Sequence, residues 1–255
     1  MIYLTMPLNG LLMIAMPIVL AIVLHRRLGA RGSLFGAGAI TFVASQVVHL
    51  PLNYALAQAG ILPARPEGAL LIQMAVVAGL TSGLCEEIAR WVAYRRFLKT
   101  TRSWNEALMF GAGHGGIEAI ILGVLVLVTF AAMYTYQTSG VGSLPAEQQE
   151  LARKQLEVYW STPPFAALLG AVERVFALCT HLALSALVLQ AFTRRNILFL
   201  FAAIGWHATV NGIALIALVL WGPYVTEAII GVAALAAVAV TVALRNGSQA
   251  SMERR

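Results

Sequence analysis

The stretch ALLIQMAVVAGLTSGLCEEIARWVAYRRFL, Ala69 to Leu98, decides how the chain folds. It runs uncharged for more than a dozen residues, meets two adjacent carboxylates at Glu86 and Glu87, places Arg90 one turn later, and closes on Arg95 and Arg96. An apolar run of about 20 residues is long enough to cross a bilayer as one helix. The basic cluster at its end is the kind of signal that marks the cytoplasmic side. The stretch therefore reads as a membrane span whose inner portion carries acids, and those acids need a reason.

The same pattern fills the rest of the chain. Of its 255 residues, 60% are hydrophobic and 11% charged, against about a quarter charged in a soluble domain. Lipid must serve as solvent for this much apolar surface. Apolar runs fall at 7–24, 34–60, 68–94, 105–135, 165–191, 196–220 and 223–244. The expected fold is all-α, a polytopic bundle of about seven transmembrane helices forming one domain over residues 1–255. The first run lacks the basic leader and cleavage site of a signal peptide and reads as a retained span. The polar stretch 137–164 is expected outside the membrane, with AEQQELARKQLEVYW as a surface amphipathic helix. Cys85 and Cys179 lie in apolar runs and read as buried thiols.

Charge orients the bundle. Twelve of the seventeen Lys and Arg residues fall in alternate connections on one side, and only Arg65, Arg153 and Lys154 on the other. The positive-inside rule then puts the N-terminus outside and the C-terminus in the cytoplasm, which requires an odd number of spans. The net charge of +6 is a topology signal and gives no reason to expect a nucleic-acid partner. The partners expected are the bilayer, most simply the cell membrane, and a membrane-associated protein or peptide.

The chain has no aspartate; all eleven acids are glutamates. Glu86, Glu87, Glu118 and Glu173 fall within spans, as do His49, His114, His181 and His207. Each charge at mid-bilayer costs about 2.5–3.5 kcal/mol on insertion scales, so the set points to a site. Glu86 and Arg90 share a helix face, and His114–Glu118 and His207–Asn211 repeat the four-residue step. Counting inward from the basic ends at 1.5 Å per residue puts Glu86, His114, His181 and His207 roughly 13–18 Å deep, in one layer. The absence of aspartate excludes an intramembrane aspartyl protease. The absence of HExxH excludes that type of zinc protease. Ser185, four residues after His181, is a weak candidate nucleophile without a supporting motif.

Glu86-Glu87-Ile-Ala-Arg90, Phe110-Gly-Ala-Gly-His114 and His207-Ala-Thr-Val-Asn211 together resemble the EExxR, FxxxH and HxxxN motifs of the CAAX-protease and bacteriocin-processing superfamily, with its PrsW-like members. GHGGIEAI from Gly113 and ERVFALCTHLALSALVLQAF from Glu173 are similar to signatures of one branch, the YhfC family of intramembrane metalloproteases. The resemblance implies a peptidase using water, with Glu86 or Glu87 as general base and Arg90 orienting the pair. His114, His207 and Asn211 would polarise the carbonyl and hold its oxyanion, or bind a metal. A zinc ion on His114, His207, His181 and Glu86, and a metal-free mechanism, both suit the pattern. Glu118 is expected to orient His114. Glu173 and Arg174 read as structural or gating groups, His181 as ligand or scaffold, Gln46 and His49 as packing or supporting groups, and Glu227 as interfacial.

The leading expectation is an intramembrane endopeptidase opening to the cytoplasm. A proton-coupled transporter is the alternative, since Glu and His chains also mark ion paths, though the chain shows no internal repeat. A non-catalytic scaffold with a protease-like fold is the third reading.

Overall fold

The computed structural model describes residues 1–64 and 66–252, the side chains of 246–252 excepted; Arg65, Arg254 and Arg255 of the charge count lie outside the described residues. Among the described residues there are eight α-helices and no strand. They are α1 (Ile2–Leu28), α2 (Ser33–Gln58), α3 (Ala69–Val92), α4 (Trp104–Ser139), α5 (Ala146–Trp160), α6 (Leu169–Thr193), α7 (Leu198–Trp221) and α8 (Pro223–Met252). All but α5 are long and apolar enough to span a membrane, giving seven candidate spans. The protein is a polytopic helical bundle.

Local chemistry sets the helix ends. Gly29, at φ 64°, ends α1 and turns its N–H back to the His25 carbonyl; a residue without Cβ occupies this left-handed conformation at no steric cost. Ser103 and Glu106 form a reciprocal capping box at the start of α4. Glu106 also accepts from Arg31 Nε at 2.8 Å, tying that end to the turn between α1 and α2. α3 ends in a π-helical turn, Ala93–Phe97, which carries Arg95 and Arg96.

α4 is the central helix, packed against α1, α2 and α6, while α3 pairs with α7 and α6 with α8. Backbones touch where glycines face one another. A Cβ on Gly113 would overlap the Phe35 carbonyl, and one on Gly38 would overlap the Phe110 carbonyl. Such close approach is what small residues permit in lipid, where dispersion must hold helices together. Gly113→Ala is therefore expected to push α2 from α4 and cost about 1–3 kcal/mol, the usual range for overpacking. Thermal unfolding in detergent checks this beside Gly205→Ala, where a new Cβ meets nothing within 4 Å and the midpoint should not move.

The basic end of the bundle is filled solid. Tyr94, Met109, Phe110 and Val188 are each 0% exposed there, and Leu24, Leu184 and Ile204 complete a continuous apolar plug. The polar residues of α3, α4, α6 and α7 sit on top of it. At the opposite end an aromatic group, with Tyr3 stacked on Trp160 at 4.4 Å, anchors α5 beside α1 and α4.

Candidate active site

The plug leaves a polar layer one to two turns further along each helix. Glu87 is wholly buried. Its two oxygens accept from Arg90 Nη1 at 2.8 and 3.0 Å, and Oε1 also accepts from His207 Nδ1 at 2.7 Å. Arg90, equally buried, donates from Nη2 to His181 Nδ1 at 2.6 Å. Guanidinium nitrogens only donate, so Nδ1 of His181 is the acceptor and Nε2 carries the proton. Nε2 donates to Glu118 Oε2 at 3.0 Å. Arg174 Nη1 donates to the other Glu118 oxygen at 2.8 Å, and Nη2 reaches Glu173. One hydrogen-bonded chain thus runs from α7 through α3, α6 and α4 and back to α6. This is how the bundle holds ionised groups away from water: each buried charge meets its opposite.

Glu86 stands apart from that chain. Its Oε2 lies 3.0 Å from His114 Nε2 and 3.9 Å from Arg90 Nη2. Oε1 makes no hydrogen bond among the described residues. His114 is fully buried, edge-on to Phe42 with ring centroids 5.3 Å apart, and its Nδ1 has no partner among the described residues. The His114 and His181 ring centroids are 5.4 Å apart, and those of His181 and His207 5.6 Å. Gly115 makes room for this stack, since a Cβ there would sit 2.5 Å from His181 Cδ2.

Glu86, Glu118, His181, His207 and Asn211 line a cavity of about 100 Å³, whereas Glu87 and Arg90 stay behind its wall. Through Glu118, Arg174 and Asn211 it adjoins a larger cavity of about 490 Å³, which reaches Leu169 on α6, Leu218 on α7 and Pro223 on α8. On the bilayer flank, Val210 and Ile230 connect it to an apolar groove of about 330 Å³ between α7 and α8.

Glu86, Glu87, Arg90, His114, His181 and His207 come together as expected from their spacing, with Asn211 on the cavity wall. Two expectations are corrected, the partner of Glu118 and the end of the bundle from which the site opens. Glu118 pairs with His181 and Arg174 instead of orienting His114; the His114 ring is turned toward α3, and Glu118 faces the cations of α6. Gln46 and His49, read as packing or supporting groups, form a cluster of their own, where His49 Nε2 faces Asn53 Nδ2 at 2.9 Å and Nδ1 faces Gln46 Oε1 at 3.1 Å. The weak case for Ser185 falls away: its Oγ is buried in the plug without a hydrogen-bond partner among the described residues, so no imidazole activates it. The cavity leads away from the basic end instead of toward it, because apolar packing fills the other route.

The sequence reading missed the part played by Ser82 and by Glu227. Ser82 accepts from Asn211 Nδ2 at 2.6 Å and fixes that amide; the four-residue step Ser82, Glu86, Arg90 was the available signal. Glu227 lies in the larger cavity with Glu173 and Arg174, and nothing in the local sequence distinguishes it from an interfacial acid.

The donor set fits a metal by kind and spacing, provided that Arg90 gives way: His181 would bind through the Nδ1 lone pair that now accepts from Arg90, while its Nε2–H stays on Glu118. Glu86, His114 and His181 each offer one ligand atom, all within 4.8 Å of one another. One carboxylate and two imidazoles, with a further position for water, suit zinc. The buried, unpartnered Nδ1 of His114 and the excess of Glu86, Glu87 and Glu118 over Arg90 and Arg174 favour a cation as well. His207, expected among the ligands, is outside this group because Glu87 holds it on the far side of His181.

Seven spans around a buried Glu–His–Arg centre define a class: a membrane-embedded bundle with a polar site in its interior. A family model described as "YhfC intramembrane metalloprotease" matches residues 12–235, and the chain belongs to that family. It is 30% identical over 208 residues to a protein of Bacillus subtilis (strain 168) described as "Uncharacterized membrane protein YhfC", covering 80% of each chain. No solved structure matches it.

Proposed function

We propose that the protein is an intramembrane peptidase that hydrolyses a peptide bond of a membrane-associated protein or peptide with water activated by Glu86. One observation carries this assignment: Glu86 has an oxygen free of hydrogen bonds on the cavity wall, while both Glu87 oxygens are taken by Arg90 and His207. A general base must reach the proton it abstracts. Only Glu86 of the pair does.

In this reading Glu86 accepts a proton as the water oxygen bonds to the scissile carbonyl carbon. The second Asn211 Nδ2–H, left free by Ser82, donates to the oxyanion that forms. The proton then passes from Glu86 to the amide nitrogen as the C–N bond breaks, giving an acid and an amine. Glu87 holds His207 through Nδ1, which leaves Nε2 to accept a hydrogen bond from water. Arg90 and Glu118 together fix the tautomer and plane of His181. Zinc, held by Glu86, His114 and, once Arg90 gives way, Nδ1 of His181, would supply carbonyl polarisation and an acidified water. The whole chain acts as one transmembrane unit in the cell membrane, with its N-terminus outside as the charge distribution dictates. The plug counts against a transport path, since it blocks one end of the bundle.

Mass spectrometry of new protein N-termini in membranes tests the reading. Cells producing the wild type should show termini that are absent with Glu86→Gln; identical termini in both would end it. Metal content is a second, independent measure. Detergent-purified wild type should carry about one zinc per chain, the number for one three-ligand site. His114→Ala should lose it and His207→Ala should keep it.

A further inference from the structure

We infer that the site is served from the extracytoplasmic side, so that its substrate is a peptide segment of a membrane-anchored protein presented at the outer surface of the bilayer. The inference rests on the hydrolase reading for the word substrate, but the route itself is a property of the packing.

Three observations converge on it. First, the approach from the basic end is closed by Tyr94, Phe110, Met109, Leu184, Val188 and Ile204, none more than 7% exposed. These residues lie between the polar layer and the Arg95, Arg96 and Arg194 end of their helices. Opening that approach would expose an apolar core to water and leave cavities, at about 24 cal/mol per Å³. Second, the cavity holding Glu86 adjoins the larger one, and both lie beyond the plug. Leu218 is 11 residues past His207 on α7, or roughly 16 Å along the helix. Pro223, the first residue of α8, is also on the wall, so the cavity reaches the turn that joins these two helices. Third, the wall of this larger cavity is polar where it could have been greasy. Glu118, Glu173, Arg174, Asn211 and Glu227 face it. Ionisable side chains in a bundle at membrane depth line water-filled space or pair with one another; here Arg174 pairs with Glu118 and Glu173, and all three line the cavity. Water and a hydrophilic backbone can follow such a wall to Glu86; they cannot follow the plug. The positive-inside rule places the basic end in the cytoplasm, so the open end is outside.

Cysteine accessibility tests the route without using activity. In a Cys85→Ala, Cys179→Ala background, single cysteines are placed at Ala214 and Leu218 in the larger cavity, Leu184 in the plug and Lys99 on the basic end. A membrane-impermeant sulfonated maleimide is applied to sealed right-side-out or inverted vesicles, and remaining thiols are then read after denaturation. Ala214→Cys and Leu218→Cys should lose their later reactivity only in right-side-out vesicles, Lys99→Cys only in inverted ones, and Leu184→Cys in neither. The inference is overturned if Ala214→Cys is blocked only in inverted vesicles, or from neither side. It is equally overturned if Leu184→Cys reacts in inverted vesicles, or if Lys99→Cys reacts in right-side-out vesicles. Adding Glu86→Gln should leave the pattern unchanged. A missing set of new N-termini with the labelling pattern intact would remove the hydrolase reading and leave the route standing.

Discussion

Glu86→Gln is expected to lower proteolysis by about 10³-fold, the middle to upper part of the range for a positioned general base, while the protein keeps its thermal stability. The substitution removes the proton acceptor but keeps the shape and a polar contact to His114. Glu86 also makes only a long approach to Arg90, at 3.9 Å, so its charge does little to hold the bundle. Glu87→Gln should behave differently. Its amide oxygen can still accept, but the charge opposite Arg90 is gone and an NH2 replaces the oxygen that took the second Arg90 bond, donor facing donor, so activity and stability should fall together. The measurement is a paired one, with terminus formation or cleavage of an identified substrate beside a thermal scan in the same detergent. The roles assigned to the two glutamates fail if Glu87→Gln spares stability or if Glu86→Gln spares activity. Asn211→Ala offers a graded check. Its loss should cost about 10²-fold, as for one oxyanion donor, and Ser82→Ala should give a smaller loss of the same kind, since Ser82 only orients the amide.

Much of this arrangement was legible in the sequence, and the reason is periodicity. Apolar runs of bilayer length give the spans, and the four-residue step from Glu86 to Arg90 and from His207 to Asn211 gives facing side chains. Counting inward from the arginines gave the shared depth. What failed to show was direction across helices. The sequence pairs Glu118 with His114 because they are one turn apart, yet the rotation of α4 against α6 hands Glu118 to His181 and Arg174. Glu227 reads as interfacial because only the packing of α8 on α6 turns it into the cavity. The closed basic end was invisible for a related reason. Tyr94, Met109 and Leu184 look like ordinary span residues until their helices converge. Apolar sequence says that a residue is buried, in lipid or in protein, but not which.

Arg90→Met is expected to destabilise the protein by about 3–5 kcal/mol, the cost of leaving a buried partner charge unpaired. Arg90 is 0% exposed and serves two acceptors at once, the Glu87 carboxylate through Nη1 and His181 Nδ1 through Nη2. Arg90→Lys should not rescue it, because one ammonium cannot reproduce the fork that reaches both. The informative variant is the double one. Arg90→Met with Glu87→Met removes both charges and fills similar volume, and replacing a buried ion pair in this way is often neutral. Its stability should therefore return most of the way, a non-additivity of the size expected for residues in contact. Activity should not return, since His207 and His181 lose the groups that orient them. If the double variant is as unstable as Arg90→Met, the cost lies in His181 Nδ1 and the fit of α3 against α6. If it recovers activity as well, neither Arg90 nor Glu87 positions the site, and the histidines are held by packing alone.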